Sequence, residues 1–343
     1  MFAVRGIAVS FSIFVLLYGV LSVAVCAVWR SVWRRVRHYH DSAAGCANLL
    51  FALRITPFVI ATAVTVVFAV PSFLLLEPRE VNESIGTVPV VLGICGIALV
   101  LAGMWNSVLA LVKASRMVAA WSRQAQEIGS SPVGSSILEP KILESKVVDS
   151  TIVDSKIPVS VLRIAAVAPP LTAAGIFRPR VWLSAAAELA LNDRELQSAL
   201  RHEAVHVRRR DNLRKLVLRI VAFPGMVEIE NSWRESTEMA ADDAAVSSAS
   251  EALDLAAAVI KLSRMAPLEP PAELTTALVH SPAESVNARV ERLIAWTERS
   301  QTPAGGYSSL YARCAAATVL ATLTITYSQL LLLVHAATEW LVR

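Results

Sequence analysis

Four apolar stretches constrain this chain more than any other feature. Residues 6–28, 55–76, 88–112 and 314–334 carry no charged side chain, and the second holds Pro57 and Pro71. At about 1.5 Å per residue, each is long enough to cross roughly 30 Å of hydrocarbon. No water is present there to satisfy backbone groups, so each stretch is expected as a helix. A chain that is 55% hydrophobic and 17% charged, with mean hydropathy +0.53, lies outside ordinary soluble composition. The expected fold class is mainly α, a polytopic membrane protein with four transmembrane helices and a cytoplasmic α+β domain between the third and the fourth.

Charge asymmetry orients the spans. Only Arg5 precedes the first, whereas Arg30, Arg34, Arg35 and Arg37 follow it. A cleaved signal carries its positive charge in front, so a retained span is expected. Basic loops stay on the cytoplasmic side. After the second span, Glu77, Glu80 and Glu83 outweigh Arg79, while Lys113, Arg116 and Arg123 follow the third. The expected location is the cell membrane, multi-pass, with the N-terminus outside, residues ~114–312 cytoplasmic and the C-terminus outside. The lipid bilayer is thus the first expected partner.

The layout read from these signals is a membrane region over 1–113, a linker over 114–160, a catalytic domain over 161–308 and a last span with a short tail over 309–343. The linker contains a five-residue repeat over 137–161: ILEPK, ILESK, VVDST, IVDSK, IPVSV. A period of five fits neither helix nor strand, so an extended insert is expected. Cys26, Cys46, Cys95 and Cys314 form no C-x-x-C pair and read as small buried hydrophobes. The net charge of +4 follows from juxtamembrane arginines and requires no nucleic-acid partner. Arg208-Arg209-Arg210, with Arg214, Lys215 and Arg219, is read as a basic surface facing anionic lipids.

The chemistry sits in His202-Glu203-Ala204-Val205-His206, an HExxH motif. Residues four apart share one helix face, so both imidazoles can reach one ion. Two neutral His nitrogens and one further ligand hold Zn²⁺ with a position left for water, and Glu203 is placed to take that water's proton. The bland reading is a charged, solvated helix face. Asn192 with Glu195 three residues on predicts a capping box that starts this helix, running to about Arg209. Ser232 and Glu235 read as a second capping box. On the helix it would start, Glu238-Met239-Ala240-Ala241-Asp242 sets two carboxylates on one face: Glu238 as third ligand, Asp242 fixing a ligand His tautomer. Plain surface charges are the competing reading.

Other segments are less specific. Residues 161–167 and 177–183 read as two strands of a hairpin beside the active helix, either a substrate shelf or structural packing. Residues 216–229 are apolar but short and hold Arg219 and Pro224, so they belong to the membrane interface or the domain core. Ser250 is read as the cap of a helix to Met265, and residues 285–296 as a helix bearing Arg289 and Arg292. No Tyr occurs between Tyr39 and Tyr307, so none in this domain stabilises an oxyanion; His280, a loop residue, is left out of the site.

With these motifs in place, the chain resembles the integral-membrane zinc peptidases of the BlaR/MecR type. The likeness covers the span pattern and the block Pro170…Gly175…Pro179-Arg180-Val181-Trp182-Leu183, then HEAVHVRRRD to Asp211, then Glu238…Asp242. It implies one Zn²⁺ per chain on His202, His206 and Glu238, with Glu203 as catalytic base. It also implies endopeptidase activity in signal transduction on a cytoplasmic repressor or on the protease itself. The chain ends just after the fourth span, so the penicillin-binding sensor domain is expected to be absent and β-lactam sensing is not carried over. The EMAAD block also resembles the HtpX and CAAX-protease group, a processing or quality-control alternative with the same chemistry. A non-catalytic membrane scaffold and a DNA-binding regulator are the alternatives of other classes; the intact Glu203 weighs against the first, the lack of a binding module against the second. The stimulus and oligomeric state are not legible.

Overall fold

The computed structural model describes residues 2–39, 42–77, 86–130, 160–164, 169–221, 223–265, 274, 276–277, 283–296 and 326–339. The pentapeptide repeat and His280 lie outside them. Three helical stretches are long and apolar enough to cross a membrane: Phe2–Trp29, Ala43–Leu76 and Thr87–Arg123. They belong to helix α1 (Phe2–Tyr39), the composite of α2 (Ala43–Val64) and α3 (Val70–Leu76), and α4 (Thr87–Ser130). Of the expected fourth span, only residues 326–334 are described, in a helix that runs on to residue 339. The third helix continues to Ser130, so the first part of the expected linker is helical.

Pro71 gives the second span its local shape. A proline has no N–H to donate to the carbonyl four residues back. The helix answers with a π-turn over Thr65–Ala69, and the carbonyl of Val67 accepts a hydrogen bond from Tyr327 Oη at 3.0 Å. The Tyr327 ring also packs on Phe68, with centroids 5.5 Å apart. The released acceptor is thereby satisfied by the helix at 326–339.

Beyond the membrane helices lie β1 (Val161–Ile164), β2 (Leu171–Ala174), β3 (Arg180–Ser184), α5 (Ala185–Ala190), α6 (Asp193–Arg209), α7 (Asp211–Ile220), α8 (Val227–Ala245), α9 (Ala249–Ser263), β4 (Thr276–Ala277) and α10 (Ala283–Ile294). The sheet order is β1-β3-β2-β4. The sequence-based hairpin is corrected here: 161–164 runs parallel to β3, and the hairpin is β2–β3. β3 has a neighbour on both sides, so it presents no edge to a substrate. Its Val181, Trp182 and Leu183 are fully buried, which a central strand permits.

Two helix starts also differ from expectation. α8 begins at Val227, straight after Pro224-Gly225, and Ser232 lies inside it. Gly225, at φ 92, takes the left-handed turn that lets the chain reverse there. The cap of α9 is Ser248, not Ser250; its side chain accepts from Glu251 N–H. The Asn192–Glu195 capping box is present with both hydrogen bonds, at 2.9 Å each.

The α7–α8 corner joins the domain to the spans. Leu218, Ile229 and Trp233 pack with Trp29, Cys46, Ala47 and Leu50, and Val221 packs with Phe14, Tyr18 and Ala61. The apolar 216–229 segment is therefore core shared between domain and membrane helices. Arg54, 1% exposed, pairs with Glu230 at 3.0 Å and donates to the Val221 carbonyl at 2.8 Å. Where α4 meets α7, Gly103 is required: a Cβ there would lie 2.3 Å from the Ile220 carbonyl oxygen. Gly103→Ala is expected to push the two backbones apart and cost about 1–3 kcal/mol, typical of overpacking. A lowered thermal midpoint in lipid nanodiscs is the readout; an unchanged midpoint would contradict this packing.

Candidate metal centre and active site

Helix α6 carries the HExxH segment with its apolar face inward. Leu196, Ala199, Leu200 and Val207 pack against the sheet and α9, and His202, Glu203 and His206 are buried beside them. Ala240 and Ala241 of α8 are buried, and with these small side chains α8 packs on α6. Glu238 projects from α8 toward both imidazoles.

The donor atoms converge. His202 Nε2 and His206 Nε2 lie 3.1 Å apart. Glu238 Oε2 is 3.5 Å from the first and Oε1 is 3.6 Å from the second. Tetrahedral ligands about 2.0–2.1 Å from a zinc-sized ion would be about 3.3 Å from one another. These spacings fit a first-row metal ion held by one atom from each residue.

The protonation pattern points the same way. His206 Nδ1 is 2.8 Å from Asp211 Oδ2, and His202 Nδ1 is 3.0 Å from Asp242 Oδ1, the latter at a poor hydrogen-bond angle. A carboxylate at Nδ1 favours the tautomer with its proton there. With the Nδ1 protons so placed, both Nε2 atoms face each other in a buried site and can share a positive charge, a proton or a metal ion, between them. For His202, burial opposes charge, but Asp242 and Glu238 outweigh it and raise its pKa to about 9. For Glu238, burial is outweighed by His206, Arg289 and His202, which bring its pKa down to about 2. The site wants positive charge.

Glu203 is poised differently. Burial dominates and lifts its pKa to about 7, against the pull of His206 and His202. Its Oε2 accepts from the Ala173 N–H of β2 at 2.9 Å, and its Oε1 is buried without a hydrogen-bond partner. Asn212 Nδ2 ties the same strand to α7 by donating to the Ala173 and Gly175 carbonyls at 3.0 and 3.2 Å.

Every residue expected in the site is brought there: His202, Glu203, His206, Glu238 and Asp242. Two others were given no role from sequence. Asp211 follows Arg210, whose φ of 54 breaks α6 from α7. On a continuous helix, five residues would turn Asp211 about 140° off the face of His206; the left-handed residue swings it back. Arg289 of α10 is 2% exposed and grips Asp242 with Nε and Nη2 at 2.8 and 2.7 Å, while Nη1 reaches Glu238 Oε2 at 3.1 Å. Nothing local in sequence marks an arginine 47 residues from its carboxylate as buried. Of the basic run at 208–219, Arg208 and Arg210 are exposed, while Arg209 and Arg214 lie 3.7 and 3.9 Å from the buried Asp211.

A sequence model of the BlaR1 peptidase M56 family matches residues 10–293, from the first span through α10. The chain belongs to the BlaR1 peptidase M56 family. None of the curated proteins matches it. An M56 peptidase is a membrane metallopeptidase of signal transduction, which agrees with the three apolar helices and with the His202, His206 and Glu238 group.

Proposed function

We propose that this M56 peptidase is a zinc endopeptidase that cuts a cytoplasmic protein at the inner membrane face. The observation that carries the reading is the pair of Nε2 atoms 3.1 Å apart, each ring backed by its own carboxylate, with Glu203 buried next to them. His202, His206 and Glu238 are the ligands, and two nitrogens with one carboxylate suit zinc. Bound there, Zn²⁺ supplies a Lewis acid that polarises the peptide carbonyl and makes water a better nucleophile. Glu203 takes the proton from the attacking water and returns it to the leaving amine. A pKa lifted toward neutrality suits both transfers. Asp242 and Asp211 hold the ligand rings, and Arg289 holds Asp242 and Glu238.

Location and substrate rest on topology. The α7–α8 corner packs beside Trp29 and Cys46, at the end of the bundle where the arginines after the first span lie. By the positive-inside rule that end is cytoplasmic. The helix at 326–339 meets Val67 through Tyr327 and lies near Glu77 through Glu339, so it runs parallel to the second span. This supports a fourth span leaving the cytoplasm, with the zincin-type domain between spans three and four. A cytoplasmic repressor or the protease itself is the proposed substrate.

The direct test uses the full chain in nanodiscs with an unfolded protein such as casein. Cleavage is expected to stop with 1,10-phenanthroline and return with added zinc. Cleavage indifferent to the chelator would overturn the reading. Asp211→Asn is expected to weaken zinc binding about 10–100-fold, the usual effect of losing a carboxylate behind a ligand histidine. A competition titration with a fluorescent chelator measures it, and wild-type affinity would contradict the role.

A further inference from the structure

A second set of metal donors lies at the other end of the bundle. Glu77, at the end of the second span, and His335 and Glu339, on the helix at 326–339, each offer one ligand atom, all within 4.8 Å of one another. His335 and Glu339 are four residues apart and share a helix face, the same spacing that brings His202 and His206 together. Glu77 comes from a separate helix, as Glu238 does. Counting from Arg5, which pairs with Glu77, to Trp29, which packs near Trp233, the two sets are separated by about 35 Å of helix α1.

Three further observations favour a ligand there. The Glu77 side chain is only 6% exposed, so its carboxylate is held rather than solvated. His335 Nδ1 is buried with no hydrogen-bond partner. The helix bearing His335 is separately anchored to the second span by the Tyr327–Val67 hydrogen bond and the Tyr327–Phe68 ring contact, which fixes the donors relative to one another. Arg5 lies 3.0 Å from Glu77 Oε1. A guanidinium at that distance does not disqualify a ligand, since Arg289 stands equally close to Glu238.

We propose that Glu77, His335 and Glu339 form a second site for a first-row divalent cation of the zinc class, joining the second span to the helix at 326–339. One imidazole with two carboxylates selects such ions over Mg²⁺ and Ca²⁺, which prefer all-oxygen shells. Half-exposed His335 and Glu339 leave room for water to complete the shell.

The experiment is metal counting on the full chain in nanodiscs, stripped with chelator, dialysed against micromolar free zinc and measured by mass spectrometry. Wild type is expected to hold two equivalents. His335→Ala or Glu339→Gln is expected to hold one, His206→Ala one, and His206→Ala combined with His335→Ala none. His335→Cys, which exchanges one zinc ligand for another, is expected to keep two. The proposal is overturned if His335→Ala and Glu339→Gln bind as much zinc as wild type, whatever His206→Ala does. If His335→Ala loses both equivalents by misfolding, His335→Cys decides: two sustains the proposal, fewer overturns it. A single wild-type equivalent lost in His335→Ala but kept in His206→Ala would sustain this site and overturn the catalytic one.

Discussion

Glu203→Gln is expected to keep the zinc bound at the HExxH site and to lose peptide cleavage by a factor on the order of 10²–10⁴, the range for removing a general base. Glutamine has the size of glutamate and can still face the Ala173 N–H that Glu203 Oε2 now accepts from. It cannot take a proton from water. The substitution also removes a buried acid whose pKa burial raises to about 7, so the fold should tolerate it. Metal content and cleavage rate on one preparation separate the roles. Lost zinc would mean that Glu203 is structural. Full zinc with full cleavage would leave the proton transfer to another group.

Arg289→Leu carries the next largest effect, expected as about 3–5 kcal/mol of lost stability, the cost of leaving buried charge unpaired. The guanidinium makes two hydrogen bonds to Asp242 and one ion pair to Glu238, all buried. Without it, two carboxylates face each other and the imidazoles with no fixed cation. Asp242 would no longer be held against His202, so zinc affinity should fall with stability. Zinc should partly restore the melting temperature of the variant, because bound metal replaces some of the missing positive charge. Arg289→Lys keeps the charge but not the fork and is expected to fall between. A melting temperature and zinc affinity equal to wild type would show that the α10 contact carries no weight.

What the sequence revealed follows from how local each signal is. The spans were legible because hydrocarbon demands long runs without charge, and residues 6–28, 55–76 and 88–112 fall within the observed helices. The α6 start was legible because Asn192 and Glu195 make their own hydrogen bonds within one turn. HExxH and the Glu238–Asp242 spacing were legible because one helix turn fixes both. The α8 start was misread because Pro224-Gly225 breaks the chain earlier than the Ser232–Glu235 pair, which then lies inside a continuing helix. The strand at 161–164 was given its observed neighbour but the wrong direction: Leu171–Ala174, not read as a strand, makes the hairpin with β3 and leaves 161–164 to pair parallel. Asp211 depended on a left-handed arginine and Arg289 on a helix far along the chain. Neither leaves a local signature.

The central claim is that this membrane M56 protein cuts protein in the cytoplasm through Glu203 and the metal beside it. Mapping new protein N-termini in cells that make either wild type or Glu203→Gln at equal level tests it most directly. The account predicts a small set of cytoplasmic N-termini, the chain's own included if it processes itself, present with wild type and absent with Glu203→Gln. Identical N-termini in both, with zinc bound in both, would contradict it and leave a membrane scaffold that has kept a metal site without cutting.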